Sequence, residues 1–223
     1  MKQHGMEQTQ SLRIRNEQAE DWAAVEDLTR RAFYNLYVPG CVEHYLVHIM
    51  RRHPDFLPEL DLVLELGGRV IGSIMYTKAS LTDEAGVQKP ILTFGPLCIE
   101  PELQRQGYGK RLLEDSFTRA IALGYDTVVI FGSPANYVGR GFQSCKKYKV
   151  SLPDGRYPAA MLVKELVPGA LSRTDSAWAY RDSPVMAISE ADALAYDDSL
   201  PPMERRWQPS QEEFYILSNA FLN

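Results

Sequence analysis

The stretch Gln104-Arg105-Gln106-Gly107-Tyr108-Gly109 decides the reading of this chain, because of what stands on either side of it. Before it, Ile91-Leu92-Thr93-Phe94 and Leu97-Cys98-Ile99 read as one buried strand interrupted by Gly95-Pro96. Proline has no N–H to give a central ladder, so the interruption predicts a bend or bulge. After it, Leu112, Leu113, Phe117, Ala120 and Ile121 fall on one helical face, and Gly124 suits the C-terminal cap. The glycines thus sit where a strand hands over to a helix N-terminus. Free N–H groups and the positive end of the helix dipole favour a phosphate there, and missing side chains let it approach closely. The segment is predicted to be a pyrophosphate cradle.

Two better-known phosphate loops are excluded. A P-loop needs Gly-Lys followed by Ser or Thr, whereas Gly109-Lys110 is followed by Arg111. A dinucleotide fingerprint needs a third glycine, and Leu112 occupies that position. The remaining pattern, Gln/Arg-x-x-Gly-x-Gly/Ala within the run from Leu97 to Leu113, resembles the acetyl-coenzyme A signature of the GNAT N-acetyltransferase superfamily. A second block is similar to the same superfamily. The buried-strand run Thr127-Val128-Val129-Ile130-Phe131 is followed by Gly132-Ser133-Pro134-Ala135-Asn136-Tyr137-Val138-Gly139-Arg140-Gly141-Phe142, where a Tyr precedes a Gly-Phe pair. Ser133 can cap a short helix with Pro134 in its first turn.

The resemblance implies acetyl-coenzyme A (acetyl-CoA) as acyl donor. It implies that Leu97, Cys98 and Ile99 hold the pantetheine arm by strand-like hydrogen bonds and that Gln104, Arg105, Gln106, Gly107, Tyr108 and Gly109 hold the pyrophosphate. Arg105 and Lys110 are favoured as cations for the phosphates over Arg111, Lys146 and Lys147. Asn136 joins the cofactor-binding set, and Tyr137 is implied to stand beside the thioester sulfur as the acid for the departing thiolate.

Composition bounds the alternatives. The chain has 223 residues, 45% of them apolar and 24% charged, ordinary for one large domain or one domain with an appendage. No apolar run approaches the roughly 20 residues of a membrane span. Met1-Lys2-Gln3-His4-Gly5-Met6-Glu7 lacks the apolar core of a secretory signal and is expected to fray. Cys41, Cys98 and Cys145 are odd in number and far apart, which suits a reducing cytoplasm better than a disulfide framework. A net charge of −5 argues against nucleic acid as the main partner and mildly favours a cationic or amine acceptor.

Along the chain, Leu12 to Arg15 alternates like a short strand. A helix follows from about Glu20 with Trp22, Val25, Leu28 and Ala32 inward, then a second with Val42, Tyr45, Leu46, Ile49 and Met50 inward. Leu62–Leu66 and Val70–Tyr76 flank Gly67-Gly68, a hairpin signal. Thr82 to Lys89 reads as a polar connector, and Tyr148–Leu152 and Ala159–Leu166 as strands. This order resembles the GNAT fold, an α/β (α+β) architecture, over residues 11–167: a mixed, mostly antiparallel twisted sheet flanked by helices. Residues 168–223 read as a helical appendage packed on the core. Ser189-Glu190-Ala191-Asp192 and Ser210-Gln211-Glu212-Glu213 are capping-box patterns, and Phe214, Leu217 and Phe221 are expected to be buried. The appendage would shape the acceptor site, form a homodimer contact, or simply stabilise the core.

Other candidates yield bland readings. Glu43, His44 and His48 place two histidines one turn apart, but on a helix's polar face and without a third convincing ligand, so a solvated or hydrogen-bonded face is expected and no metal. Cys98 reads as a small apolar strand residue. Some superfamily members carry Glu on the bent strand, yet here the matching stretch offers Thr93, and Glu100 and Glu102 lie past it near the phosphates. An α-amino acceptor with a pKa of roughly 8 needs only a water relay, whereas a lysine-type amine near 10.4 carries about 4–5 kcal/mol of deprotonation cost at neutral pH. The reading is direct acetyl transfer to a primary amine, on a small molecule or a peptide. A non-catalytic acyl-CoA-binding or sensing module is the alternative, kept by the missing strand carboxylate. A hydroxyl acceptor or a longer acyl chain would need a wider cleft.

Overall fold

The Gly67-Gly68 hairpin starts the architecture, with both glycines in the left-handed region (φ 58° and 83°) and strands on either side. The structure, a computed structural model, describes residues 11–171 and 176–223; the fraying expected of Met1–Glu7 lies outside the described residues. Strand β1 (Leu12–Asn16) pairs with β2 (Leu62–Leu66), β2 with β3 (Arg69–Asp83), and β3 with β4 (Gln88–Ile99), all antiparallel. β4 then runs parallel to β5 (Thr127–Phe131), and β5 pairs antiparallel with β8 (Met161–Glu165), which also takes β6 (Gln143–Ser144). The result is a nine-stranded mixed sheet completed by β7 (Val150–Ser151) and β9 (Trp178–Arg181), and mostly antiparallel, as expected.

Alternate strand residues face opposite helices. On one face α3 (Tyr108–Ala122) buries Leu112, Leu113, Phe117 and Ala120 against Tyr76, Leu92 and Phe94. On the other, Val25 of α1 (Trp22–Phe33) and Leu46, Val47 and Met50 of α2 (Glu43–Met50) cover Val63 and Met75. Gly124, with φ 89°, closes α3 by donating to the Ile121 carbonyl at 2.9 Å.

Several expectations need correction. Ile121 and Trp22 are exposed rather than inward; the Trp22 ring lies under the Arg51 guanidinium, 5.2 Å from its centroid. The Thr82–Lys89 connector shrinks to a tight turn, because Asp83 Oδ1 accepts from Ala85 and Val87 N–H and lets β3 run on to Asp83. Tyr148–Leu152 is no full strand: a 3₁₀ turn over Cys145–Tyr148 ends at Lys149 in the left-handed region (φ 53°), leaving two residues of β7.

The segment beyond 167 is not simply helical. It carries α5 (Glu190–Asp198) and α6 (Pro209–Asn219), and before them β9, which adds to the edge of β3 with Tyr180 opposite Leu81. Trp178 and Tyr180 are buried there among Leu81, Ile91, Val129 and Val163. Ser189 does cap α5, accepting from Asp192 N–H at 3.3 Å, but α6 starts at Pro209 with Gln208 as its cap. Phe214 and Phe221 are exposed, 39% and 40%, against the expectation of burial. α6 docks instead through Gln211, whose amide donates to the Asn35 carbonyl, and Phe221 lies under Arg156.

Candidate active site

The candidate site begins where β4 bends. The Gly95–Pro96 peptide is cis, and the β3–β4 register slips there, from Thr77–Thr93 and Tyr76–Phe94 to Ile74–Leu97. One extra β4 residue is accommodated, which is the bulge the sequence predicted. β4 touches β5 in register only at Leu92–Val128. Beyond that point the two parallel strands part, so the β5-facing edge of Leu97, Cys98 and Ile99 carries no ladder. An extended polar arm can pair with that edge as a strand would.

After Ile99 the chain makes a 3₁₀ turn at Pro101–Leu103 and enters the glycine segment. Gln104 anchors the turn by donating from Nε2 to the Ile99 carbonyl at 3.1 Å. Arg105 (φ 64°) and Gly107 (φ 89°) both adopt left-handed backbone, and Gly107 is the N-cap of α3. A cap without a side chain leaves the first N–H groups of α3, at Tyr108, Gly109 and Lys110, unsatisfied from within the helix. No side chain caps them. A Cβ on Gly107 would meet nothing within 4 Å, so the space over these donors is open.

The flanking charges complete the picture. Arg105, Gln106 and Lys110 are exposed at the turn, and Lys110 is held only by a loose 3.7 Å pair with Glu114. Glu100 is buried and ion-paired with Arg31 and, at 3.0 Å, with Arg69, so its charge is neutralised. Lys146 lies elsewhere, over the Tyr157 ring.

Tyr137 ends α4 (Pro134–Tyr137), the short helix after β5, with Ser133 as N-cap. Its ring packs on Phe94 (5.8 Å) and Phe142 (5.5 Å). One edge of the ring also lies against Gly132, where a Cβ would come within 2.7 Å of it. That contact requires glycine. Burial pushes the Tyr137 phenol above its ordinary pKa, the nearby Tyr37 adds to the shift, and Arg140 opposes it, so the group is a protonated donor at neutral pH. Asn136 is exposed at the mouth of the parted strands.

Two clusters escaped the sequence reading. Tyr37, between α1 and α2, stacks on Phe33 (5.8 Å) and Phe214 (4.8 Å) and feels the charge of Glu43. Glu43 accepts from Cys41 Sγ–H (3.3 Å) and Val42 N–H (3.2 Å), and burial holds its carboxyl above the usual range. On the other side of the bend, Phe131, Leu152, Pro153, Tyr180, Asp182 and Pro184 line a cavity of about 530 Å³. His44 corrects an expectation: it is fully buried beside Asp197 and Tyr196, not solvated. Among the described residues no group of His, Cys, Asp and Glu is arranged to hold a metal ion.

Residues 22–142, which hold these elements, match one family model, described as the acetyltransferase (GNAT) family. This chain belongs to that family. Its relatives include an uncharacterized N-acetyltransferase of Escherichia coli strain K12, YjhQ, 29% identical over 109 residues, a match spanning 48% of this chain and 56% of that protein. The chain thus aligns with little more than half the length of this curated relative. The crystal structure of the GNAT family N-acetyltransferase YhbS from Escherichia coli in complex with CoA superposes with a TM-score of 0.64 at 25% identity, over 80% of this chain and 94% of that one. A GNAT acetyltransferase from Brucella melitensis in complex with acetyl-CoA shares the fold, with a TM-score of 0.61 at 20% identity over 79% of this chain and 98% of that one. The GNAT architecture expected from the sequence is therefore the architecture found.

Proposed function

We propose that this protein transfers the acetyl group of acetyl-CoA to a primary amine by direct attack in a ternary complex. The observation that carries the reading is the set of uncapped N–H groups at Tyr108–Lys110, facing open space beside a β4 edge left free by the parting of β4 and β5. A pyrophosphate satisfies the first, and the amides of a pantetheine arm satisfy the second. The CoA and acetyl-CoA bound by YhbS and by the Brucella protein support the same donor here.

In this arrangement the thioester lies near the bend, between β4 and Tyr137. Tyr137 supplies the proton for the thiolate; even an ordinary phenol near 10 facing a thiol near 8.5 is mismatched by about 2 kcal/mol, burial of Tyr137 widens the gap, and hydrogen bonding to the thiolate works against it. Direct transfer is favoured because the described cysteines are poor nucleophiles. Cys98 is buried, its thiol 3.5 Å from Thr29 Oγ1 and pushed up to about 11. Cys145 is pushed up to about 11 as well, and Cys41 is raised further by burial and Glu43. A thiol kept protonated does not form an acyl-enzyme readily.

The test is release of free CoA thiol from acetyl-CoA across a panel of primary amines, against an amine-free control. Amine-dependent release is expected for at least one class. Release that never exceeds the control, in a protein that binds acetyl-CoA, would instead support the sensing module.

A further inference from the structure

We infer that Asp182, delivered by the C-terminal segment, is the residue that binds the acceptor's ammonium group and takes its proton. The inference rests on the amine-transfer reading above and names the group that the bent strand lacks. Thr93 stands where a strand carboxylate would serve, and the structure fills that role from a distant part of the chain.

The placement follows from β9. Its pairing with β3 sets Tyr180 opposite Leu81, on the sheet face that also carries Thr93 and Ile91. Tyr180 is 3% exposed, and its hydroxyl makes no hydrogen bond of normal geometry. Thr93 and Asp182 are nevertheless the two side chains close enough to act on it. A buried hydroxyl without a full partner is costly, by about 1–3 kcal/mol, and marks a place where a ligand's polar group belongs. Asp182 comes two residues later, on the wall of the 530 Å³ cavity whose other walls include Phe131, Leu152 and Pro153.

The segment that carries Asp182 continues to the bend of β4: Met186, four residues further on, lies 3.6 Å from where a Cβ of Gly95 would stand. Val185 is buried with Met75 and Met50, and Ser183 Oγ donates to Asp55 at 2.8 Å, which pins the segment after Asp182 as β9 pins it before. Asp182 Oδ1 accepts the Ser183 N–H at 2.8 Å, and the Tyr180 hydroxyl is the other polar group beside the carboxylate.

The charged and titratable groups around Asp182 are Tyr180 and Arg181 on β9 and, through Ser183, Asp55. Arg181 is exposed, and among the described residues it forms no ion pair with Asp182. Burial raises the carboxyl, while Tyr180 and the Ser183 N–H lower it. An acid lifted in this way, on a cavity wall where the neighbouring Arg181 is exposed and not paired with it, suits a group that must both attract an ammonium and accept its proton.

Protons and electrons balance as follows. The ammonium gives one proton to Asp182, which becomes a carboxylic acid. The freed nitrogen lone pair attacks the thioester carbonyl carbon, forming C–N as C–S breaks. Tyr137 protonates the departing thiolate, and the second surplus N–H proton restores Tyr137. Asp182 then loses its proton to solvent.

The experiment compares wild type, Asp182→Asn, Tyr180→Phe and Glu43→Gln in amine-dependent thiol release between about pH 7 and 10, where a lysine-type amine deprotonates. Acetyl-CoA affinity by calorimetry serves as the control for folding and donor binding. Asp182→Asn should lower kcat/KM about 10²-fold at neutral pH, and the deficit should shrink to within about tenfold as the amine itself deprotonates. Tyr180→Phe keeps the ring and should show a smaller deficit of the same pH shape. A deficit that is constant across pH, or absent, overturns the assignment while leaving the transfer reading intact. A pH-rescued deficit in Glu43→Gln but not in Asp182→Asn overturns it in favour of Glu43. Wild-type release without any amine dependence overturns the transfer reading and the inference together.

Discussion

Lowering the pH should destabilise this protein in part through His44, and by an amount the structure sets. Its side chain is 0% exposed, with Nε2 3.4 Å from Asp197 Oδ1. That carboxylate is already engaged by Arg30 (2.7 Å) and Arg205 (2.6 Å). A proton on His44 would gain little from a neutralised Asp197 and would meet the Arg30 charge. Burial dominates, Asp197 opposes it, Arg30 reinforces it, and the imidazole is held down to about 4. The unfolded chain binds this proton near 6.5, so the folded protein binds fewer protons below that pH. Stability is therefore complete above about 6.5 and is lost as the pH falls toward 4. The shift of about 2.5 units corresponds to roughly 3 kcal/mol in full, and to about 2.6 kcal/mol by pH 4.5. For a chain of this size that is a fall of about 5–10 °C in Tm. Other acid-titrating groups contribute as well, so the assay is a difference: urea unfolding of wild type and of His44→Gln between about pH 7 and 4.5. The stability gap between the two proteins should move by about 2–3 kcal/mol in favour of the variant as the pH falls. A gap that stays constant, or moves the other way, would refute the view of His44 as a neutral buried imidazole.

Gly107→Glu fills the open space over the α3 N-terminus with bulk and charge, and should weaken acetyl-CoA at least about tenfold, or about 1.4 kcal/mol, by calorimetry; an unchanged affinity in the folded variant would remove the cradle. Gly132→Ala sets a methyl against the Tyr137 ring, where a Cβ would stand 2.7 Å away, and should lower kcat while acetyl-CoA affinity stays near wild type. Tyr137→Phe should likewise spare affinity and lower kcat roughly 10²-fold; full turnover would dismiss Tyr137 as the acid. Ending the chain after Val167 removes β9 and uncovers Leu81, Val129 and Val163, so the truncated protein should lose several kcal/mol of stability. A truncated protein melting at the wild-type temperature would show that β9 is dispensable to the fold.

The parts of the site legible in the sequence are those written within one local run. Gly95-Pro96, Gly107 and the Ser133-Pro134 start each dictate backbone geometry over a few residues, so the bend of β4, the glycine start of α3 and the short helix ending at Tyr137 appear as the sequence led one to expect. Tertiary pairing is not written locally. Trp178-Ala179-Tyr180-Arg181 is too short to announce a strand, and what makes it one is the free edge of β3 near Leu81. Asp182 gains its position only from that pairing. His44 looked solvated because the residue covering it, Tyr196, arrives from α5. Phe214 and Phe221 misled for the opposite reason: their helical spacing suggested burial, yet α6 is fastened by a glutamine amide that leaves Phe214 partly in water, and it ends before Phe221, which lies under Arg156.

The central claim is that acetyl passes straight from acetyl-CoA to an amine, with no covalent enzyme intermediate. A rapid-quench experiment tests it most directly, with enzyme and acetyl-CoA mixed first without amine and then with it, and thiol, acetylated amine and intact protein mass followed together. Without amine the account predicts no stoichiometric burst of thiol and no acetylated protein; with amine, thiol and acetylated amine should appear together, one for one, from the first turnover. A burst of thiol equal to the enzyme concentration before any amine is added, with a matching mass gain on the protein, would contradict it.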